Sequence, residues 1–319
     1  MAVIVRKMKV EDISDVKRAD LISWSELIER DYPLRVRVEC RTDENILSYL
    51  HSDPDGAFVA ADEFAGIIGS SFSHVWGKTG WVGPLSVLPS YQGKGVGKEL
   101  LKSSLRYLED QGCSDIGLET MPESEVNLGM YFKVGLKPEG MVLILAKKLD
   151  ENEPPDEDFG DVSVERLSDS EVKNHVMAQI RRISNSLHPG LDYSGEVELT
   201  EKFSFGDTLV AAHKGKVVGF CVTHTVARRE NMRGAAIRVL ATDPSVKDNI
   251  VEPLIASAEL MAMDSKANEL SLPIPGLTRR GMDIAFSRGY SVIQSFARLM
   301  WIGSSGITEK NTNLSSWSG

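Results

Sequence analysis

The feature that most constrains this chain is that it repeats itself. FVAADEFAGIIGSSF (Phe58–Phe72) is echoed by LVAAHKGKVVGFCV (Leu209–Val222), SVLPS (Ser86–Ser90) by LATDPS (Leu240–Ser245), and YFKVGL (Tyr131–Leu136) by AFSRGY (Ala285–Tyr290). Gly69 and Gly219 stand 150 residues apart, Pro89 and Pro244 155, and Gly135 and Gly289 154. Three near-equal offsets in one order imply a tandem duplication. Each copy is then a unit of ordinary domain size, large enough to bury a core of its own.

The two copies open alike, IVRKMKVEDI (Ile4–Ile13) and VSVERLSDSEV (Val162–Val172), each a short strand turning toward a helix. Between them lies DENEPPDEDFGD (Asp150–Asp161), with seven carboxylates, two adjacent prolines and one large apolar residue. Such a stretch buries too little surface to fold and Pro-Pro resists both helix and sheet, so it reads as a linker. The sequence therefore predicts a first domain at 1–150, an acidic linker at 151–161, a second domain at 162–303, and a polar, Gly/Ser-rich flexible tail at 304–319. Strands joined by short turns alternate with helices in each half, which predicts an α+β fold rather than a doubly wound parallel sheet.

The chemistry concentrates in LSVLPSYQGKGVGKELLKSSLRYLEDQG (Leu85–Gly112). A strand ends at Pro89, glycines crowd the loop from Gln92 to Gly97, and Val96, Leu100, Leu101, Leu105 and Leu108 mark one face of a helix running to about Asp110. A glycine loop that opens a helix is an anion seat: backbone N–H groups come close to phosphate oxygens, and the helix dipole adds positive potential. A P-loop needs four residues between its glycines and a hydroxyl after the lysine; here three residues separate Gly93 from Gly97, and Glu99 follows Lys98. A dinucleotide fingerprint would need glycine where Lys98 stands. ATP and NAD are both disfavoured.

The pattern V-x-P-x-x-Q-G-x-G-x-G-K from Val87 to Lys98 resembles the acetyl-CoA signature of the GNAT superfamily of N-acyltransferases. The resemblance implies two tandem GNAT-like domains, each a mixed, mostly antiparallel sheet flanked by helices. It implies acetyl-CoA as acyl donor, with Leu85, Ser86 and Val87 along the pantetheine arm and Gln92, Gly93, Lys94, Gly95, Val96, Gly97 and Lys98 around the pyrophosphate. Gly93 departs from the arginine frequent in that family.

Acyl transfer to an amine poses two proton problems. An amine of reference pKa about 10.4 must lose a proton, and the departing thiolate gains from a nearby acid. The segment Ser114–Gly140 offers both groups and resembles the family's strand–turn–helix pattern, with Tyr131 as the acid, Gly135 closing the helix, and Ser124 where a cofactor-binding asparagine is usual. Ribosomal-protein N-terminal acetyltransferases of the family carry a glutamate base twelve residues before the tyrosine, the spacing of Glu119 to Tyr131 here; a water relay is the alternative base. His74, Trp76, Trp81 and the segment Leu21–Arg41, with Trp24 and Tyr32, lie where a substrate groove would form.

The second half lacks these parts. DPSVKDNIVEPLI (Asp243–Ile255) contains no glycine, Asp248 would repel a phosphate, and Ala285 stands opposite Tyr131. That site reads as dead, leaving recognition, stability or homodimer formation as roles for the domain. The net charge of −10 argues against a nucleic-acid partner, no apolar run is long enough to span a membrane, and three scattered cysteines without CxxC spacing suit reduced thiols in the cytoplasm and no metal site. The expected activity is N-acetyl transfer to a primary amine of a small molecule or peptide, by direct attack in a ternary complex; a non-catalytic acyl-CoA sensor or scaffold is the rival.

Overall fold

The computed structural model describes residues 3–31, 38–151, 154–155, 159–246, 249–276, 278–308 and 312–316. The first copy runs β1 (Ile4–Lys7), α1 (Ile13–Asp31), α2 (Asp43–Ser52), β2 (Phe58–Asp62), β3 (Gly66–Trp76), β4 (Thr79–Val87), α3 (Val96–Asp110), β5 (Asp115–Thr120), α4 (Glu125–Val134) and β6 (Lys137–Lys148). The second repeats that order: β7 (Val162–Arg166), α5 (Lys173–Leu187), α6 (Ser194–Lys202), β8 (Gly206–His213), β9 (Lys216–His224), β10 (Gly234–Thr242), α7 (Val251–Asp264), β11 (Glu269–Pro275), α8 (Arg279–Ser287) and β12 (Ser291–Ile302). A last strand, β13 (Asn313–Ser315), follows. The α+β class holds, and only the pairs β4/β5 and β10/β11 are parallel.

One sheet runs through both copies in the order β1-β2-β3-β4-β5-β12-β6-β11-β10-β9-β8-β7. Exchanging each strand for its counterpart reverses this order onto itself, so the copies are related by a pseudo-twofold through β6 and β12. The centre shows an exchange. β12, the last strand of the second copy, lies between β5 and β6, and β6, the last strand of the first, lies between β12 and β11. The predicted division at the linker is thus a division of the chain, while the sheet of each half is completed by the other. Val142, Leu145 and Leu299 on these two strands are fully enclosed, and each such side chain is worth roughly 2 kcal/mol of burial. Trp76 and Trp81 of the first copy pack in one cluster with Ile180, Leu187, Phe220 and Val239 of the second, and Trp76 Nε1 donates to Glu196 Oε1 at 3.1 Å.

The expected flexible tail needs correction at its end. Asn313–Ser315 pair antiparallel with Val239–Ala241 of β10 and Leu314 is fully buried. The polar composition that suggested fraying hides one anchoring leucine and a main chain that satisfies an open strand edge. Among the described residues no helix is long and apolar enough to cross a membrane.

Candidate active site

The site begins where two parallel strands part. β4 and β5 are paired from Thr79/Asp115 to Val82/Leu118. Beyond that point Gly83–Val87 and Glu119–Met121 diverge, and the opening is a cleft of about 490 Å³, within the usual range of small-molecule sites. β4 keeps its other edge on β3, with Ser71, Ser70 and Gly69 opposite Leu85, Ser86 and Val87. Main-chain groups of β4 that alternate with those bonds face the cleft. Leu85, Ser86, Val87, Gln92, Gly93, Gly95, Gly97 and Lys98 all line it, as expected, whereas Lys94 and Val96 do not. Lys94 extends its ammonium over the Tyr91 ring, 5.1 Å from the centroid, and Val96 turns into the core against Ile68, Val87 and Leu100.

Gly93 and Gly95 adopt left-handed φ of 72° and 87°, and a Cβ built on either meets nothing within 4 Å. Glycine is demanded there by conformation, and the space in front of the loop is open. Gly95 is the residue before α3, which has no side-chain cap. The Gln92 amide closes a turn onto the Pro89 carbonyl at 3.2 Å, and Gln92 Nε2 donates to the Val87 carbonyl at 3.0 Å, bracing loop to strand. Among the described residues, the amides of Gly93, Lys94, Gly95, Val96, Gly97 and Lys98 have no protein acceptor, the first bond of the helix being Glu99 N–H to Gly95 O at 3.1 Å. Six N–H groups without a protein acceptor at a helix N-terminus, four of them on the cleft-lining residues Gly93, Gly95, Gly97 and Lys98, fit a diphosphate.

Across the cleft stands α4. Gly135 ends it with φ of 114°, its N–H bonded back to Tyr131 and Phe132, and that closure fixes the last turn, which carries Tyr131. The phenol lines the cleft yet is buried, and burial pushes its pKa up to about 12, against the pull of a hydrogen bond with Thr120. It is therefore a protonated donor throughout the physiological range. Ser124 is buried just before α4 with no partner for its Oγ and does not line the cleft; Asn127, one turn on, does.

Glu119 departs from expectation. Its main chain borders the cleft, but its side chain is fully enclosed, with Oε1 accepting from Arg298 Nε at 3.0 Å and Nη2 at 2.6 Å, and Oε2 accepting from Ser316 Oγ at 2.5 Å. A carboxylate so committed is a poor proton acceptor for a substrate amine. Strand alternation puts this side chain on the sheet face where Arg298, its cross-strand neighbour on β12, engages it. Leu27 and Arg30, within the segment Leu21–Arg41, line the cleft; sequence reasoning missed Phe296 of β12 and Glu125 of α4, which line it too. Trp24 lines it as well, while Tyr32 lies outside the described residues. His74 is not in the cleft; it lies behind it, bonded through Nε2 to the Gly83 carbonyl at 2.7 Å.

Residues 21–136 match the family model described as Acetyltransferase (GNAT) family. Acetyltransferase SG1711 of Sodalis glossinidius (strain morsitans) is 30% identical over 104 residues, covering 33% of this chain and 72% of that protein. The chain belongs to the GNAT acetyltransferase family. Family membership carries the chemistry at class level: acyl transfer by an N-acetyltransferase that uses acyl-CoA. Two solved structures share the whole GNAT architecture seen here. One, from Pyrococcus horikoshii, has a TM-score of 0.70 at 16% identity and covers 98% of this chain and 94% of its own. The other is a tandem GNAT protein from the clavulanic acid biosynthesis pathway, with a TM-score of 0.62 at 12% identity, covering 95% and 100%.

The second GNAT copy shows what becomes of the same cleft when it is closed. β10 and β11 pair only from Gly234/Glu269 to Ala236/Ser271 and then part, as β4 and β5 do. Into that gap the chain lays its own β13, paired with Val239, Leu240 and Ala241. These lie 154 residues beyond Leu85, Ser86 and Val87, on the equivalent strand edge. Ala285, opposite Tyr131, is fully buried, and Asn249 Nδ2 bonds Glu252 at the start of α7. Asp248 lies outside the described residues.

Proposed function

We propose that the protein is an acetyl-CoA-dependent N-acetyltransferase acting on a primary amine in a ternary complex, with its active site in the N-terminal half. The observation that carries this reading is the row of unpartnered amides from Gly93 to Lys98 beside a cleft that also holds the Tyr131 phenol. The β10/β11 gap of the second half is filled by β13, which supports the first half as the seat of the chemistry.

Acetyl-CoA supplies an acyl thioester. The loop amides and the dipole of α3 hold its diphosphate, and open main-chain groups of Leu85–Val87 orient its arm along β4 and oppose the charge that develops on the attacked carbonyl oxygen. Tyr131 directs its O–H at the departing sulfur. The amine proton leaves through water. Of the cleft-lining carboxylates among the described residues, Glu119 is enclosed and Glu125 is exposed, which makes Glu125 the group that receives it. No cysteine is needed: Cys113 is buried, and burial pushes its thiol up to about 11.

The test is to mix the purified chain with acetyl-CoA and a panel of amines, including polyamines and peptide N-termini, and to follow release of free CoA thiol. Transfer to at least one amine, lost in Gly95→Val, is the expected result. CoA binding without transfer to any amine would favour the sensor reading, and absence of CoA binding would end both.

A further inference from the structure

We infer that the C-terminal half completes the active cleft of the N-terminal half: Phe296 of β12 is a specificity-determining wall at the reacting end, and Arg298 with Ser316 forms a positioning clamp on β5 through Glu119. The inference rests on reading the cleft as the acyl-CoA site.

The geometry is specific. Glu119 is the first residue after β5 loses its pairing to β4, so it marks the point where the strands part. Behind that point Arg298 reaches three elements at once. It gives two N–H bonds to Glu119 Oε1 on β5, donates from Nη2 to the Ser315 carbonyl of β13 at 2.8 Å, and lies 5.3 Å from the centroid of the Trp81 ring on β4. Ser316 Oγ takes the second Glu119 oxygen. Both charged side chains are almost wholly removed from water, at 5% and 0% exposure. Desolvation cancels most of the attraction in such a pair, and well-packed apolar residues would stabilise the fold as well. What the pair adds is a fixed distance and direction for the strand that forms one lip of the cleft.

Phe296 stands two residues from Arg298 on β12. Ala297 pairs with Thr120, the residue bonded to Tyr131, so Phe296 lies beside the end of β5. It lines the cleft together with Met121, and both are nearly fully buried. A bulky apolar wall in the cleft at the end of β5 limits how long an acyl chain the site accepts. One methylene in such a pocket is worth about 10- to 200-fold in selectivity.

The experiment combines a cycle with a chain-length series. Glu119→Leu and Arg298→Met each strand a buried charge and are expected to lower kcat at least about tenfold; the double variant, which strands none, is expected to be no worse than either single and to keep the wild-type pH–rate profile. A folded double variant as inactive as Glu119→Leu, with intact CoA affinity and a lost acid limb, would make Glu119 the base and overturn the clamp. Phe296→Ala is expected to raise the butyryl-to-acetyl ratio of kcat/KM at least about tenfold, with Phe296→Leu intermediate should the alanine variant fold poorly; an unchanged ratio in both overturns the wall. If the wild-type chain transfers to no amine, the enzymatic reading alone falls. Calorimetric affinities for acetyl-, propionyl- and butyryl-CoA then read the inference, and a chain-length series identical in wild type and in the Phe296 variants overturns it.

Discussion

Replacing Tyr131 by phenylalanine removes one oxygen from the cleft and leaves the packing of α4 in place. The hydroxyl contributes one hydrogen bond to Thr120, about 1 kcal/mol net, so the melting temperature should fall by only about 2 °C. The kinetic effect should be far larger. With its pKa near 12, Tyr131 is ionised in fewer than about one molecule in ten thousand at pH 7.5, so the donor is always charged with its proton. The same value limits what it can do. A thiol leaving group of pKa about 8.5 is a weaker base than this phenolate by more than three units, so complete proton transfer runs uphill. In the proposed mechanism Tyr131 therefore acts by presenting a hydrogen bond to sulfur as negative charge grows there. Loss of one such preorganised donor typically costs 10²- to 10³-fold in kcat, about 2.7–4 kcal/mol of activation free energy. The sign of the pH effect follows: activity needs the protonated phenol, which is lost only as pH rises through about 12, so Tyr131 contributes no alkaline limb at pH 7–10. The assay is thiol release from acetyl-CoA at saturating amine, with CoA affinity measured by calorimetry. Tyr131→Phe retaining kcat within about threefold, at normal CoA affinity, would refute the assignment.

Gly95→Val should separate folding from ligand binding: a β-branched residue at φ 87° costs about 1–2 kcal/mol of backbone strain, yet its side chain meets no protein atom, so the chain should melt a few degrees lower while CoA affinity falls at least about 100-fold. Normal affinity by calorimetry would show that the open face of the loop is not a ligand seat. Acid should unfold the molecule before most carboxylates titrate, because His224 is buried neutral between Arg228 and Thr200 and burial, aided by Arg228 and Arg238, holds its pKa well below 6.5. Its unfolded form takes up a proton below about pH 6.5, so stability is full above that value and is lost as pH falls, by about 1.4 kcal/mol at pH 5.5; a melting temperature no more pH-dependent in wild type than in His224→Gln would contradict this. Removing residues 312–319 uncovers the β10 edge and deletes the buried Leu314, a loss of about 3 kcal/mol, and also frees Glu119 from Ser316. Melting and transfer rate should both drop, and an unchanged melting curve would show that β13 is not holding the second cleft closed.

Much of this architecture was legible in the sequence, and the limits are instructive. The repeat offsets fixed the order of elements, and the apolar face of α3 fixed its span, because a 3.6-residue period is a local property of the chain. Gly93, Gly95 and Gly135 were readable because a positive φ leaves glycine as the natural choice. The exchange of β6 and β12 was not readable. Both strands have counterparts 154 residues apart, and either could satisfy either half, so the pattern of apolar residues is the same with or without exchange. Glu119 shows the same limit at the level of one side chain. Its distance from Tyr131 along the chain resembles a base, but its partner Arg298 is 179 residues away, and no local signal announces an ion pair across halves.

The exchange also ties the two halves to one another. In a duplication whose halves each close their own sheet, one half could be shed with little consequence for the other. Here the β5 edge of the first half is paired along Ile116–Thr120 with β12, a strand contributed by the second. Without it β5 would be an unpaired edge beside the cleft, and Ile116 and Leu118, which pack in one cluster with Leu299, would lose that cover. The second half faces the converse problem, the gap between β10 and β11, and β13 fills it with three residues of pairing. The same short strand then turns and delivers Ser316 to Glu119. Filling the second gap and fastening β5 at the first cleft are thus performed by adjacent residues, and a change that loosens β13 should be felt in both.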